Sequence, residues 1–309
     1  MRFPFVIAHD DWDGIASALL LTGGEATIEA LDYFELARAV DATPEPRLFV
    51  EVHDPALLGP HDVVVDHHVP RLGFVPPPYP RCYVATRERL LALSRTVDLS
   101  NVAGIASLLR RPEYVSEEGR QLLRRAVEPP EDVVHLSNVV DNPNLVEDRR
   151  ELELVVGHAY ARCRGEVLSI ALRHGVDDLR GALEEMRALG SGLMREVERV
   201  ASGLRERSRG AVAVIARRRE SAWLAFAAIL VIQLEEGGRG RYVFGFELGD
   251  GRIRATFVSG DSWAIEAAES LGGGGRPGAR GTYVGGATAE ERRVLELLRS
   301  AGIEPLFVE

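Results

Sequence analysis

Three apolar runs near the start of the chain each stop abruptly at polar side chains. Residues 3–9 end on His9, residues 47–52 are followed by His53 and Asp54, and residues 63–65 stop at Asp66. Short runs without polar alternation are typical of strands buried on both faces of a parallel sheet. Because ligands of such sheets bind beyond the carboxyl ends of the strands, these polar residues are candidates for chemistry.

Helical periodicity fills the middle of the chain. The predicted helices cover residues 15–21, 101–110, 117–127, 131–139, 151–174 and 179–206, and a further strand is predicted over 26–33. Strands that alternate with helices predict a mostly parallel, doubly wound sheet of the α/β class.

The pattern changes after residue 206. It predicts a strand over 211–216, a buried helix over 222–235, a hairpin of 241–248 with 252–258, a helix over 262–271, and a last helix capped by Thr288 with Glu291. We therefore predict two α/β domains, 1–180 and a smaller one at 209–309. A helical connector over 181–208 would join them, with the active site in the cleft between them.

Composition places the chain among ordinary globular proteins. Its 309 residues are 46% hydrophobic and 27% charged, which is enough chain for two cores. No apolar run reaches the roughly 18 residues that span a bilayer, and acidic residues arrive by Asp10. Two cysteines, Cys82 and Cys163, cannot form a zinc ribbon and favour a reducing compartment. We expect a cytoplasmic protein without a membrane partner.

Charge limits the functions that the chain can perform. All 37 basic residues are Arg, which excludes Schiff-base or lysine-dependent catalysis, and the net charge is −10. Proteins that bind long duplexes use basic grooves, so a long duplex is not expected as a partner. A short phosphorylated ligand held by a few Arg residues and metal ions remains compatible with this charge. The scarcity of Asn, Gln, Met and Cys indicates a heat-adapted source.

The first strand leads into a motif of metal-ligand type, His9-x-Asp11-x-Asp13-Gly14. Carboxylates so close together repel one another unless cations neutralise them, which favours a divalent metal site. Acids at a helix N-terminus are also favoured by the helix dipole, and the motif alone leaves both interpretations open.

Two more acids follow apolar segments. Asp54 lies beyond residues 47–52, with Glu51 as a less convincing alternative, and Asp141 ends the segment Asn138-Val-Val-Asp141. Each of these acids, taken alone, is more typical of a turn than of a metal site.

The order of these motifs resembles that of the DHH phosphoesterase superfamily, which is named for the triplet seen here as Asp66-His67-His68. The resemblance extends over nearly the whole chain. It includes the glycine-rich segment 272–281, which resembles the signature of the DHH-associated C-terminal domain. That signature ordinarily has His where this chain has Arg276, a residue that stays charged and can grip phosphate bidentately.

The resemblance implies two Mn²⁺ or Mg²⁺ ions and a role for each motif residue. The implied metal ligands are His9, Asp11, Asp13, Asp54, His67 and Asp141. Asp54 would bridge the two ions, His68 would contact the scissile phosphate and Asp66 would orient an imidazole. Gly273, Gly274, Gly275 and Arg276 would bind the substrate.

The function implied is a phosphoesterase that cleaves phosphodiester bonds of short single-stranded oligonucleotides, in the manner of RecJ-type exonucleases and nanoRNases. Nucleoside bisphosphates are further candidate substrates, and a homodimer is compatible with the resemblance. Two alternatives stay open: a non-catalytic scaffold of a replication or repair complex, and a phosphoanhydride hydrolase such as a pyrophosphatase. Pyrophosphatases of this superfamily use lysine, which disfavours the latter.

Overall fold

The structure is a computed structural model. It describes residues 3–32, 35–52, 54, 56–66, 83–86, 101–110, 117–206, 210–238, 240–277 and 281–309. The chain folds into two compact units, which are treated separately below. Unit 1 consists of Met1–Asp141 and Gly165–Glu185, and unit 2 of Asn142–Arg164 and Met186–Glu309.

Unit 1 is built on a five-stranded sheet. Its strands are β1 (Phe5–His9), β2 (Thr27–Leu31), β3 (Arg47–Val50), β4 (Val63–Asp66) and β5 (Tyr83–Thr86). They lie in the order β2-β1-β3-β4-β5, and only β5 runs antiparallel to its neighbour. The carboxyl ends of β1, β3 and β4 therefore lie along the same edge of the sheet.

Helices flank this sheet. They are α1 (Trp12–Thr22), α2 (Leu36–Ala42), α3 (Asn101–Arg110), α4 (Glu117–Leu123), α5 (Glu131–Asp141) and α7 (Val167–His174). Asp11 caps α1 by accepting a hydrogen bond from the backbone N–H of Gly14, and Gly23 ends the helix at φ 63°. The helix begins at Trp12, three residues earlier than its periodicity predicts, because that cap fixes its start.

Unit 2 contains a six-stranded mixed sheet. Its strands are β6 (Ala211–Ala216), β7 (Arg241–Glu247), β8 (Arg252–Ser259), β9 (Gly274–Pro277), β10 (Tyr283–Glu290) and β11 (Pro305–Val308), in the order β11-β6-β7-β8-β10-β9. The helices of this unit are α6 (Arg149–Cys163), α9 (Ala222–Glu235), α10 (Trp263–Ser270) and α11 (Glu291–Ser300). The long helix α8 (Leu179–Arg205) begins in unit 1 and ends in unit 2.

The two faces of the second sheet carry separate cores. Helix α9, apolar on all sides, packs on one face with the inward residues of β6 and β7, such as Val214 and Tyr242. Helices α10 and α11 cover the other face, where Phe257 and Ala287 are buried. Because β6 is covered on both faces of the sheet, its sequence is an unbroken apolar run.

The predicted α/β class, with its mostly parallel first sheet, second sheet and long helix, is confirmed. The division of the chain differs from the predicted 1–180, 181–208 and 209–309, since α6 packs against α9 and so belongs to unit 2. Within the described part of the chain, every helix is too short or too polar to span a membrane.

Several elements differ from the sequence-based expectation. The predicted helix over 151–174 is two helices, α6 and α7, which Gly165 separates at φ 68°. The predicted capping box at Thr288 is wrong, because Thr288 lies inside β10 and α11 begins at Glu291 without a side-chain cap. Strand pairing with β8 explains this, since alternate residues of β10 are buried.

In unit 1, hydrogen bonds of His174 connect the end of α7 to the start of α8. His174 Nδ1 lies 2.8 Å from Asp178 Oδ2, and Nε2 lies 3.0 Å from Glu185 Oε2. Asp178 caps α8 through the backbone N–H of Gly181, and Arg173 also pairs with Glu185. The hydrogen bond to Asp178, followed by that to Glu185, raises the pKa of His174.

We expect this contact to make stability depend on pH. A raised histidine pKa contributes stability in full below the ordinary value of about 6.5, and that stability is lost as the pH rises through the raised value. The difference in urea midpoint between the wild type and His174→Gln should therefore be larger at pH 5.5 than at pH 9. Equal differences at both pH values would show that protonated His174 does not stabilise the fold.

Candidate metal centre

Polar residues from three strand ends and two helices meet at one edge of the unit 1 sheet. Glu51 follows β3 directly, Asp66 ends β4, and Asp11, Asp13 and Asp141 all act electrostatically on the Glu51 carboxyl group. With His9 at the end of β1, these six residues are called the strand-end cluster below: His9, Asp11, Asp13, Glu51, Asp66 and Asp141. All six lie in unit 1.

Glu51 is the most unusual member of the cluster. Its side chain is 1% exposed, and its backbone has φ 60°, a left-handed conformation rare for a residue other than glycine. The Glu51 N–H donates to the Val65 carbonyl at 3.0 Å, which holds this conformation against β4. Burial raises the pKa of the Glu51 carboxyl well above its usual range, and repulsion from Asp13, Asp11 and the other cluster acids raises it further. Strained backbone and crowded buried acids are both features of functional sites.

His9 and Asp11 form a close pair beside Glu51. His9 Nδ1 lies 2.6 Å from Asp11 Oδ2, while Asp11 Oδ1 accepts the backbone N–H of Gly14 at 3.1 Å. One ligand atom each from His9, Asp11 and Glu51 can be chosen so that all three lie within 4.8 Å of one another. Three such atoms could hold one cation.

Hydrogen bonds among helices α1, α3 and α5 hold Asp13 and Asp141 in position. Asp13, which is 2% exposed, accepts the backbone N–H of Val102 at 2.9 Å. The buried Trp12 indole N–H donates to Ser137 Oγ at 2.8 Å, one helical turn before Asp141. This bond joins the start of α1 to α5 and so sets the position of both acid-bearing segments.

The predicted Asp66-His67-His68 triplet is described only at its first residue. Asp66 is fully buried at the end of β4 and is paired with Tyr83 in the sheet. His67 and His68 lie outside the described residues, and their predicted roles stay predictions.

The structure does not bring Asp54 into the strand-end cluster. Asp54 is exposed, and its Oδ1 accepts the backbone N–H of Ala56 at 2.9 Å, which is an Asx turn. The residue that directly follows β3 is Glu51, and Glu51 lies in the group formed with His9 and Asp11, whereas Asp54 does not. The physical reason is position, because the chain has already left the sheet edge by Asp54.

The chemistry of the strand-end cluster suits divalent metal ions. Five carboxyl groups and an imidazole share one region in which Asp13, Glu51 and Asp66 are buried. Like charges so confined need cations or protons as partners. Oxygen ligands with one nitrogen ligand suit Mn²⁺ or Mg²⁺.

The glycine-rich segment is a strand rather than a loop. Residues Gly274–Pro277 form β9, which pairs with β10 so that Arg276 lies opposite Val284. A Cβ at Gly273 would lie 2.0 Å from the Gly286 carbonyl oxygen, and one at Gly275 would lie 2.5 Å from the Val284 carbonyl oxygen. These two glycines therefore serve strand packing, whereas a Cβ at Gly274 would meet nothing within 4 Å among the residues that the structure describes.

No protein-family model and no curated protein matches the chain significantly. Among solved structures, it is similar to PggH, a pGpG-specific phosphodiesterase from Vibrio cholerae. The TM-score is 0.50 at 12% sequence identity, and the match covers 97% of this chain and 97% of PggH. The chain has the same α/β fold as PggH.

Two RecJ structures are similar at lower scores. RecJ from Thermus thermophilus in complex with Mn²⁺ matches with TM-score 0.44 and 18% identity over 98% of this chain and 53% of RecJ. The chain thus spans about half the length of that RecJ. An exonuclease RecJ bound to manganese matches with TM-score 0.48 and 15% identity over 96% of this chain and 88% of that one.

The sequence itself carries a signal for Glu51. Glu51 follows the apolar run Leu48-Phe49-Val50 as directly as Asp66 follows residues 63–65. The rule that ligands of open α/β sheets bind beyond the strand ends therefore favours Glu51, whereas the resemblance, which expects an aspartate at this place, favours Asp54.

Proposed function

We propose that this protein is a divalent-metal-dependent phosphoesterase that hydrolyses phosphodiester bonds of short oligonucleotides. One observation carries the proposal: the strand-end cluster, with the buried Glu51 carboxyl among four aspartates, at the carboxyl edge of a parallel sheet. The fold shared with PggH agrees with this proposal.

In this proposal the strand-end cluster holds the metal ions, and each residue has a separate task. His9, Asp11 and Glu51 would hold one ion, and Asp13, Glu51, His67 and Asp141 would hold the other, with Glu51 in place of Asp54. Two bound ions supply a hydroxide at neutral pH and stabilise negative charge at phosphorus. Asp66 orients a neighbouring imidazole, and His68 contacts the phosphate.

The proposed substrate is small and charged. The net charge of −10 disfavours long nucleic acids, whereas a dinucleotide carries few phosphates and needs few cationic contacts. PggH bears the name of a pGpG-specific phosphodiesterase, so pGpG is one of the substrates to test. Nucleoside bisphosphates belong in the same test because they share the terminal phosphates.

A substrate panel tests the proposal. With Mn²⁺ supplied, the protein should release mononucleotides from RNA of two to five nucleotides, and chelation of the metal should stop release. Asp13→Ala and His67→Ala should abolish activity while keeping the wild-type circular dichroism spectrum. The control is Glu128→Ala, which removes only an exposed ion pair with Arg110.

Two outcomes would contradict the proposal. Activity retained in both Asp13→Ala and His67→Ala would show that these residues are not the metal ligands of the reaction. No hydrolysis of RNA, DNA, pGpG or nucleoside bisphosphate would favour a scaffold, and hydrolysis of pyrophosphate alone would favour a phosphoanhydride hydrolase.

A further inference from the structure

One fully buried hydroxyl group of unit 1 has no hydrogen-bond partner. Ser17 lies in α1 with 0% of its surface exposed, and its Oγ has no partner in the part of the chain that the structure describes. Asn138 Oδ1 in α5 also lacks a partner there, but Asn138 is only partly buried and this oxygen can only accept a hydrogen bond. A buried hydroxyl group without a partner is uncommon in folded proteins and lowers the stability of the fold.

Other hydroxyl groups on helices of this protein do have a partner. In the same helix, Thr22 Oγ1 donates at 2.8 Å to the backbone carbonyl four residues earlier. The hydroxyl groups of Ser169, Ser270 and Ser300 each donate to the carbonyl three residues earlier. A bond to the preceding turn is the usual way in which a helix satisfies such a group. Ser17 does not make that bond, although it lies inside a regular helix.

Ser17 lies one helical turn after Asp13, a member of the strand-end cluster. Residues four apart on a helix share a face, and their Cβ atoms are about 5–6 Å apart. The Cα–Cβ bonds of a helix tilt toward its N-terminus, so the Ser17 side chain is directed toward the turn that carries Asp13. This N-terminus lies at the cluster, because Asp11 caps the helix and Asp13 repels the Glu51 carboxyl group. The unpartnered hydroxyl group is therefore directed toward the cluster.

A carboxylate that binds a metal ion depends on hydrogen-bond donors for its orientation. One of its oxygens ligates the ion, and its remaining lone pairs accept hydrogen bonds that hold the group in place. The backbone N–H of Val102 is one such donor to Asp13, at 2.9 Å from Oδ1. The Ser17 hydroxyl group is a second donor on the same face of α1. It adds no charge of its own to the crowded cluster.

We infer that Ser17 is a positioning residue of the metal centre. When the ion is bound, the Ser17 hydroxyl group donates a hydrogen bond to the Asp13 carboxylate and holds that carboxylate in the orientation that ligates the ion. The inference rests on the proposed function for the presence of the ion. It adds to the centre a residue that is not itself a ligand.

Ser17→Ala tests this role through two measurements that should move in different directions. Isothermal titration of the full-length protein with Mn²⁺ should show binding about ten to a hundred times weaker than in the wild type, which is the usual effect of removing a hydrogen-bond partner of a metal ligand. Without metal, the variant should melt at the same or a higher temperature, because it loses an unpartnered buried hydroxyl group and alanine favours a helix.

Thr22→Val is the matched control, because it removes a hydroxyl group from the other end of the same helix. This variant should bind Mn²⁺ as the wild type does. A purely structural role of Ser17 would give the opposite pattern in Ser17→Ala, with a lower melting temperature and an unchanged Mn²⁺ affinity.

The outcomes separate the inference from the proposed function. If Ser17→Ala binds Mn²⁺ as tightly as the wild type, the inference is wrong even when Mn²⁺-dependent hydrolysis is present. A metal-free Ser17→Ala protein that melts well below the wild type would also overturn it, since the hydroxyl group would then stabilise the fold itself. Weaker Mn²⁺ binding in Ser17→Ala, in a protein that hydrolyses no phosphodiester, would support the inference and contradict the proposed catalysis. A wild type that binds no Mn²⁺ would contradict both.

Discussion

Glu51→Gln should lower kcat/KM for Mn²⁺-dependent hydrolysis of a dinucleotide by about a thousandfold or more, since loss of a metal ligand removes several kcal/mol of transition-state stabilisation. The substitution keeps the size of the side chain and the backbone conformation but removes the charge that two cations share. The same variant should melt at a higher temperature than the wild type when metal is absent. It takes away a buried carboxyl group that Asp11, Asp13, Asp66 and Asp141 all repel.

The matched variant is Asp54→Asn. Asn keeps the side-chain oxygen that accepts the Ala56 N–H, and Asp54 is exposed, so kcat/KM and the melting temperature should stay near the wild-type values. The assay is steady-state kinetics at saturating Mn²⁺, combined with thermal melts with and without the metal. Loss of activity in Asp54→Asn with retention in Glu51→Gln would show that Asp54, and not Glu51, is the metal ligand.

The largest effect on stability is expected from Asp62→Ala. Asp62 is fully buried and accepts the side-chain and backbone N–H groups of Arg47, while the Arg47 guanidinium also donates to the Val40 carbonyl at 2.8 Å. Removing one partner leaves an uncompensated buried charge, which costs about 3–5 kcal/mol. Because Arg47 begins β3, the strand that leads directly into Glu51, this loss should also weaken the strand-end cluster.

A double variant separates charge from packing. Arg47→Met with Asp62→Leu replaces the buried pair with apolar side chains, which should recover most of the lost stability. Glu128→Ala breaks an exposed pair and should leave the urea midpoint almost unchanged. If Asp62→Ala unfolds at the wild-type urea concentration, the buried pair does not stabilise unit 1.

The sequence predicts the elements whose burial is uniform. Val63–Val65 and Ala211–Ala216 are covered on both faces, so their apolar runs identify the strands β4 and β6 directly. The short helix α2 and the strand β5 were not predicted, because neither has enough periodic residues to stand out. The edge strand β11 was missed for a related reason, since its four residues are only half buried.

The candidate site could be predicted as far as local motifs extend. The spacing of His9, Asp11 and Asp13 brings them together within one turn, and the resemblance supplied Asp141. The choice between Glu51 and Asp54 depends on where β3 leaves the sheet, which is set by the left-handed backbone at Glu51 and its bond to Val65. The different surroundings of Gly273 and Gly274 likewise depend on strand register, which the sequence does not specify.

The central claim is that the strand-end cluster binds divalent metal. A crystal grown with Mn²⁺ and measured at the manganese absorption edge tests it most directly. We predict anomalous peaks within coordination distance of His9, Asp11 and the Glu51 carboxylate. No peak at the cluster, or a peak bound by Asp54 and remote from Glu51, would contradict the account.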